Sequence, residues 1–280
     1  MRLANLSGRL SLVAGGSAVD VETLSAGEFS SDPQAVFDRW DEFVAWADQA
    51  DLSAAVPFDP ADLGSPVPVP RQLFAIGLNY HDHASEVGLV ADEVPVVFTK
   101  FVSSITGPYN EIPHPGGDLD WEVELVVAIS KTARNVSAED SWDYVAGLTA
   151  GQDISERITQ HAGVVPQFSL GKSFPAFTPM GPWLVTPDEF ADPTDIALAC
   201  VVNGATVQSG RTSDMVASVS MLIAALSKIV TLLPGDVIFT GTPAGVGLAM
   251  KPPRFLAVGD EVVTTIEGIG DLRNRIVAGA

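Results

Sequence analysis

The amino-terminal residues alternate between apolar and polar around two turn-like sequences, "SGR" (7–9) and "GGS" (15–17). An alternation with a period of two is typical of short antiparallel strands, so we predict a small β-meander here. After Asp32-Pro33 the period becomes helical, and apolar side chains recur from Val36 to Ala47. This spacing predicts an amphipathic helix of about four turns, with Asp32 as its N-cap.

A proline-rich stretch without periodicity, "VPFDPADLGSPVPVPRQ" (56–72), follows the predicted helix. Such composition is typical of an extended linker. We therefore predict a boundary near residue 68. A small N-terminal α/β domain with its linker would occupy residues 1–68, and a larger domain residues 69–280.

The larger domain is dominated by segments with strand character, and Asn203-Gly204 predicts a hairpin turn between two of them. One clear helix is predicted from Asp214 to Val230, capped by Thr212 or Ser213. Strands and helices do not alternate regularly, so we expect neither a TIM barrel nor a doubly wound sheet. The predicted class is a strand-dominated α+β fold. The strand-like segments are residues 73–80, 95–101, 121–129, 144–153, 181–186, 196–210, 235–247 and 259–278.

Composition narrows the classes of partner. The chain has 15 Lys and Arg against 35 Asp and Glu, a formal charge of −20. This negative field repels phosphate groups, so neither nucleic acid nor an anionic membrane is an expected partner. No segment approaches the roughly 20 apolar residues of a membrane span. The single cysteine, Cys200, excludes an intrachain disulfide and fits a reducing compartment, so we expect a cytoplasmic protein.

Two glutamates, Glu122 and Glu124, interrupt the strand predicted over residues 121–129. Because strand side chains alternate between faces, both would share one face, roughly 6.5 to 7 Å apart. They could converge on a hard divalent cation such as Mg²⁺ or Mn²⁺. A solvated edge strand explains the same pattern, although the apolar run "LVVAI" that follows favours a buried strand.

The octet "NYHDHASE" (79–86) contains His83 and Glu86, which become neighbours if the segment is helical. A carboxylate beside an imidazole orients the ring and raises its basicity, which suits activation of a water. A polar surface turn is the alternative. Asp153, in "GQDIS", is either a third oxygen ligand or the N-cap of a following turn.

Lys172 lies in the apolar, Gly- and Pro-rich stretch "LGKSFPAFTPMGP". The "GKS" sequence is not a phosphate loop, because Pro166 stands where that motif requires its first glycine. Lys172 could neutralise a carboxylate or stabilise an oxyanion, or it could be a surface lysine. The loop "TGTPAGVG" (240–247) offers amides and hydroxyls to a ligand oxygen, or is simple turn chemistry.

Taken in this order, the segments resemble the fumarylacetoacetate hydrolase family from about residue 73 to residue 276. The stretches that carry the resemblance include "IGLNYHDHASE", "LDWEVELVVAI", "AGQDIS", "GKSFPAFTPMGPWLVT" and "LLPGDVIFTGTPAGVG". The resemblance implies a mixed β-roll, and because family members are usually dimers it implies a homodimer.

The resemblance also implies roles for individual residues, in metal binding, catalysis and substrate binding. These are Glu122, Glu124 and Asp153 as ligands of Mg²⁺ or Mn²⁺; His83 and Glu86 as a water-activating dyad, with Lys172 stabilising the oxyanion; and Tyr80, Arg157, Gln160 and Thr242 as substrate contacts.

The implied reaction is hydrolytic C–C cleavage of a β-diketone or a 2,4-dioxo acid such as an acylpyruvate. Three alternatives stay open: oxaloacetate-type decarboxylation, keto–enol or dienoate isomerisation, and metal-dependent ligand binding without catalysis. The chain departs from the family pattern at three places: Leu78 replaces an arginine of some relatives, "ERITQ" replaces "ARDLQ", and Pro175 replaces a frequent aspartate. We expect specificity to lie in residues 88–95, 156–167 and 174–180.

Overall fold

The structure is a computed structural model, and it describes residues 1–86, 88 and 96–279. Strands predominate in this part of the chain. In chain order they are β1 (Arg2–Leu6), β2 (Arg9–Ala14), β3 (Ser17–Asp20), β4 (Val56–Pro57), β5 (Leu63–Gly64), β6 (Leu73–Gly77), β7 (Val96–Thr99), β8 (Ile105–Thr106), β9 (Ile112–His114), β10 (Leu119–Asp120), β11 (Val123–Ile129), β12 (Val145–Gln152), β13 (Ser155–Glu156), β14 (Thr178–Val185), β15 (Ala197–Val202), β16 (Ala205–Arg211), β17 (Val237–Phe239), β18 (Glu261–Ile266) and β19 (Gly270–Ala278). The helices are α1 (Val21–Leu24), α2 (Trp40–Ala47), α3 (His81–Glu86), α4 (Arg157–Gln160), α5 (Phe168–Gly171) and α6 (Val219–Ile229).

The large sheet has the strand order β4-β3-β2-β1-β14-β12-β11-β17-β6-β7, with β5 beside β1 and β8 beside β14. The predicted β-meander is therefore present as β1 to β3, and it is continuous with the central strands through the β1–β14 pair. Leu3 and Phe37 from the amino-terminal part share one apolar cluster with Val126 and Phe239. The domain boundary near residue 68 stays a prediction.

Strand β11 is the centre of the fold, and all seven of its residues are buried. Val123, Leu125 and Val127 enter one apolar cluster, while Val126 and Ala128 enter the other. Both faces of the strand are thus covered, as in sheets enclosed between two layers. The buried strand that the run "LVVAI" favours is confirmed. The alternative interpretation, a solvated edge strand, is wrong.

The strand predicted over residues 121–129 begins two residues late, at Val123. Trp121 and Glu122 instead form the two-residue connection between β10 and β11. The Glu122 amide donates to the side-chain oxygen Oε1 of Gln152 at 2.7 Å. A side chain has therefore replaced the ladder partner of this amide, and the regular strand starts after it.

A second sheet, β16-β15-β18-β19-β9, packs against the central strands. Leu198 and Leu272 from this sheet share the apolar cluster of Val123. The hairpin predicted at Asn203-Gly204 is confirmed, with φ angles of 51° and 79° that suit a tight two-residue turn. A two-stranded ribbon, β10–β13, lies beside the site. The architecture is the strand-rich α+β class that the sequence predicts.

Both predicted helices exist, but each begins later than expected. Helix α6 starts at Val219, and Ser218 caps it by accepting a hydrogen bond from the Met221 amide. The predicted caps at 212 and 213 belong to a separate 3₁₀ turn, Thr212–Asp214. Near the amino terminus, a 3₁₀ helix over 35–39 precedes α2. Asp32 accepts from the Gln34 amide two residues on, which is turn geometry and not a helix cap.

Within the described ranges, no helix is both long and apolar enough to cross a membrane.

Gly151 on β12 tests the tight packing of the central strands. A methyl group there would overlap Val126 and lie 2.6 Å from the Phe239 ring. We expect Gly151→Ala to lower the free energy of unfolding by about 1–3 kcal/mol, the usual cost of overpacking a core. Urea denaturation measures this. Gly16→Ala is the matched control, since open space surrounds Gly16; equal stability losses in the two variants would contradict the packing.

Candidate active site

Three carboxylates meet where β11 and β12 lie side by side. The antiparallel register places Glu124 of β11 opposite Gly151 of β12. Glu122, just before β11, and Glu124 therefore lie beside Asp153, just after β12. The Asp153 amide donates to the Glu122 carbonyl oxygen at 2.9 Å, which fixes the two backbones. One carboxylate oxygen from each of the three residues lies within 4.8 Å of the others. The two glutamates paired by strand spacing and the aspartate implied by the family resemblance therefore lie together.

Two buried lysines bind this cluster. Lys172 Nζ donates to Glu122 Oε2 and Asp153 Oδ2, both at 2.7 Å, and to Ser155 Oγ at 2.8 Å. Lys100 Nζ donates to Asp153 Oδ1 at 2.5 Å and to the Lys172 carbonyl oxygen at 2.6 Å. Neither lysine is more than 2% exposed. Lys172 is therefore not a surface lysine.

The positive charge is shared unequally among the carboxylates. Burial alone would raise the pKa of Glu122, but Lys172 and Arg157 lower that pKa to about 2. Burial, Asp153 and Glu122 raise the pKa of Glu124 well above its usual value. The Gly241 amide donates to Glu124 at 2.6 Å, which compensates only part of its charge. Glu124 has no cationic partner among the described residues, whereas Glu122 and Asp153 do. Three hard oxygen donors grouped in this way fit a divalent cation such as Mg²⁺ or Mn²⁺.

His83 and Glu86 form the predicted pair on helix α3. Their side chains meet at 2.7 Å between His83 Nδ1 and Glu86 Oε1, and the other Glu86 oxygen accepts from the Gly245 amide at 2.9 Å. An ionised carboxylate only accepts hydrogen bonds, so Nδ1 carries the proton and Nε2 of a neutral ring keeps its lone pair. Amides of the loop over residues 240–247 thus bind two carboxylates of the protein itself, Glu86 through Gly245 and Glu124 through Gly241. Binding of a ligand oxygen by this loop stays a prediction.

A cavity of about 290 Å³ joins these groups. Its polar wall includes six of the predicted site residues, and its apolar wall comes mainly from β6, β7, α5 and the loop after β17. These six residues are His83, Glu122, Arg157, Gln160, Lys172 and Thr242. Glu86 and Asp153 do not line the cavity but contact two residues that do, His83 and Lys172. Glu124 accepts from the Gly241 amide, next to Thr242 of the lining.

Tyr80 is not among the described residues that line this cavity. Its hydroxyl group is fully buried and has no hydrogen-bond partner among the described residues. Burial, followed by the nearby charge of Glu124, raises the pKa of this phenol. The structure therefore separates Tyr80 from the other predicted substrate contacts.

Of the three segments expected to set specificity, two lie among the described residues, and one of these two lines the cavity. The segment 156–167 contributes Arg157, Gln160 and His161 to the cavity lining. The segment 174–180 contributes none of the lining residues in the described part of the chain. Of the third segment, 88–95, all but Gly88 lies outside the described residues.

Arg157 and Thr242 are held by neighbouring side chains. Arg157 Nη1 donates to Gln160 Oε1 at 2.8 Å, and Nη2 lies 2.8 Å from Glu122 Oε1. Thr242 Oγ1 accepts from Gln208 Nε2 at 2.7 Å. These contacts orient donors and acceptors toward the cavity.

The sequence analysis did not identify Lys100 as a site residue, and it left Asp153 as either an oxygen ligand or a helix N-cap. The signal for Lys100 was present, since it is the only charged residue in "PVVFTKF" (95–101). The N-cap alternative for Asp153 is wrong, because Glu156 caps helix α4 by accepting from the Ile158 and Thr159 amides.

Comparison with known proteins agrees with this geometry. The family model described as "Fumarylacetoacetate (FAA) hydrolase C-terminal" matches residues 72–277. A curated human relative named oxaloacetate tautomerase FAHD2A, mitochondrial, is 46% identical over 215 residues, which cover 76% of this chain and 68% of that protein.

Solved structures match along the full chain. A candidate HpcE protein from Mycobacterium smegmatis is 52% identical, with a TM-score of 0.95 and coverage of 100% of both chains. A maleylpyruvate hydrolase from Sphingobium sp. SYK-6, solved with manganese(II) and pyruvate, is 29% identical, with a TM-score of 0.83 and the same coverage. The chain therefore belongs to the fumarylacetoacetate hydrolase family, as an enzyme with the fold of that family and an acidic triad suited to a metal ion.

Proposed function

We propose that this protein is a divalent-metal-dependent keto–enol tautomerase of oxaloacetate or a closely similar 2-oxo dicarboxylic acid. The observation that carries the proposal is one cavity lined by an oriented imidazole, a buried lysine and part of an acidic triad. The name of the human relative supports the same reaction. The isomerase alternative is thus better supported than the hydrolytic cleavage that led the sequence-based expectations.

Proton transfer at C3 of the oxo acid is assigned to His83. Its Nε2 is free to take a proton because Nδ1 is engaged with Glu86. The C3–H electron pair becomes the C2–C3 double bond, and the C2 oxygen gains a proton, so no atom is added or lost. A divalent ion held by Glu122, Glu124 and Asp153 would polarise the C2 carbonyl as a Lewis acid.

Lys172 and Arg157 are assigned to the negative charge that develops on the substrate oxygen. Both line the cavity, and both are at least nine-tenths buried. Burial would lower the pKa of Lys172, but Asp153 and Glu122 raise it above its usual value, so the ammonium stays protonated. Fixed charges in a site that excludes water stabilise an oxyanion far better than charges in solvent do.

Arg157 and Lys172, together with a divalent ion held by the acidic triad, would supply the local positive charge that an anionic substrate needs in a chain of charge −20. The electrostatic potential at a bound substrate depends mainly on charges in the cavity wall, where Arg157 and Lys172 lie. Carboxylates on the distant surface contribute less, because salt screens them. The assigned substrate is therefore a small anionic oxo acid.

Hydrolytic C–C cleavage is the second candidate. The His83–Glu86 pair has the geometry to activate a water, and the Sphingobium relative is a maleylpyruvate hydrolase. Binding without catalysis is disfavoured, because such a protein has no need of an oriented imidazole beside a buried lysine. The cytoplasmic location expected from the single cysteine stays a prediction.

The first test is turnover of oxaloacetate by the purified protein with Mg²⁺ or Mn²⁺, followed by the ultraviolet absorbance of the enol. We expect catalysed tautomerisation, and we expect His83→Gln to lower kcat by roughly 10²- to 10⁴-fold, the usual contribution of a general base. His81→Gln is the matched control, since His81 is exposed on the same helix.

Product analysis separates the candidate reactions. Release of CO₂ from oxaloacetate without acceleration of tautomerisation would favour the decarboxylase alternative. Formation of pyruvate from an acylpyruvate, with no effect on the oxaloacetate keto–enol equilibration rate, would favour hydrolysis. Either result would overturn the proposed reaction.

The metal assignment predicts that Glu124→Ala weakens Mn²⁺ binding, measured by isothermal titration calorimetry. Loss of outer-shell partners alone typically costs about 10- to 100-fold in metal affinity, so loss of a ligand should cost at least that. Glu139→Ala makes the same change at an exposed position and should leave the affinity unchanged. Unaltered stoichiometric binding by Glu124→Ala would refute the ligand set.

We also infer a homodimer that forms through the face around β7. This strand is the last of the large sheet among the described residues, and edge strands invite pairing. Apolar side chains are exposed on it and beside it: Val97 is 45%, Phe101 49% and Leu170 65% exposed. The Phe101 amide donates to Ser173 Oγ at 2.9 Å, which places these segments together.

Light scattering during size-exclusion chromatography tests the assembly. We expect the mass of a dimer for the wild-type chain and a shift toward monomer for Phe101→Asp, because a buried unpaired charge is costly. Val258→Asp, at a position that is 59% exposed on another surface loop, is the matched control. A monomeric wild-type chain at micromolar concentration would contradict the dimer.

A further inference from the structure

We propose that Asp120 is a positioning residue, which holds Arg157 and the cavity wall at Gly247–Leu248 in the arrangement that the reaction and the metal ion require. The inference rests on the proposed function in so far as it concerns the same cavity. Asp120 shares the acidic stretch "DWEVE" with Glu122 and Glu124, yet it is not a member of the acidic triad.

The contacts of Asp120 explain why it does not serve as a metal ligand. Its Oδ1 accepts from the Trp121 amide at 2.8 Å and the Gly247 amide at 2.7 Å. Its Oδ2 accepts from the Leu248 amide at 3.0 Å and from Arg157 Nε at 2.8 Å. A carboxylate has about four acceptor sites. These four hydrogen bonds, together with Arg157 Nη2 at 2.7 Å from Oδ2, leave no site for a metal ion. The fully buried charge is thus satisfied by protein groups from three separate segments.

The hydrogen bond from the Gly247 amide to Asp120 Oδ1 depends on a glycine at residue 247. A methyl group on Gly247 would overlap the Arg254 carbonyl oxygen and lie 2.8 Å from Asp120 Oδ1. Only glycine lets the backbone approach the carboxylate so closely. The residues on either side, Val246 and Leu248, line the cavity. Asp120 therefore anchors the apolar wall of the cavity from behind.

Arg157 is shared between two carboxylates. Its Nη2 lies 2.7 Å from Asp120 Oδ2 and 2.8 Å from Glu122 Oε1. With Nε also bound to Asp120, the Nε–Nη2 edge of the guanidinium is fixed, and Nη1 is left on the side of Gln160. Without the charge of Asp120, the nearest remaining carboxylate for this buried cation is Glu122, which the metal ion also needs. Asp120 thus limits how far Arg157 competes with the metal.

The test begins with Asp120→Asn, which removes the charge and nearly keeps the shape. We expect Mn²⁺ affinity and kcat/KM for oxaloacetate each to fall by about tenfold or more, the usual effect of removing a partner that orients a ligand. Asp236→Asn is the matched control. Asp236 is equally buried and accepts from the Gln72 and Leu233 amides, but it does not line the cavity. This control should lose stability and keep its Mn²⁺ affinity.

The double variant Asp120→Asn/Arg157→Met separates positioning from a merely structural role. It removes the charges of both Asp120 and Arg157. No guanidinium then remains at residue 157 to pair with the Glu122 carboxylate in place of the metal ion. We expect its Mn²⁺ affinity to return to within about twofold of the wild type, the spread normal for uncoupled changes. Because it is charge-balanced, it also serves if Asp120→Asn alone fails to fold. An Mn²⁺ affinity as low as that of the single variant would overturn the proposal.

The readouts distinguish this inference from the proposed function. If the wild-type chain does not turn over oxaloacetate but Asp120→Asn still loses Mn²⁺ affinity and the double variant regains it, the proposed reaction fails and the positioning role stands. If Asp120→Asn binds Mn²⁺ as the wild type does, the positioning role is wrong whatever the activity. A wild-type chain with no affinity for Mn²⁺ would overturn both.

Discussion

The burial of three carboxylates within 4.8 Å of one another is the constraint on which the rest of the structure depends. Like charges removed from water are expensive unless cations and hydrogen bonds surround them. Lys100, Lys172 and Arg157 supply that charge, all at least nine-tenths buried. Each comes from a different part of the chain, so the fold must converge on one place. The centre of the large sheet, where β11 and β12 pair, is that place.

This network also couples the acidic triad to the cavity. Lys172 binds the carboxylates of Glu122 and Asp153 through its side chain. Its carbonyl oxygen accepts from Lys100, which also binds the other oxygen of Asp153. Lys172, which lines the cavity, is therefore fixed by the same residue that fixes a proposed metal ligand. Preorganisation of this kind requires no rearrangement when charge develops, which is where electrostatic catalysis gains most.

Local patterns in the sequence predicted most elements, but not their ends or their partners. The Asn203-Gly204 hairpin could be predicted because its turn needs two positive φ angles. The start of α6 was missed because a 3₁₀ turn over 212–214 offers a second plausible cap. Lys100 was missed because its partner Asp153 is 53 residues away. Pattern rules act over a few residues, whereas the site is built from pairings across the whole chain.

The three departures from the family pattern lie in different structural environments. In "ERITQ", Glu156 caps α4 and also accepts from the Asp118 amide, so this acidic residue has a structural use. Pro175 is exposed. Leu78 lines the cavity with a φ of 58°, a left-handed conformation that costs a side-chain-bearing residue free energy and persists only where the surroundings enforce it. Leu78 therefore places a strained apolar side chain in the wall of the same cavity that Arg157 and Lys172 line, so the departure at this position is the one that borders the proposed substrate site.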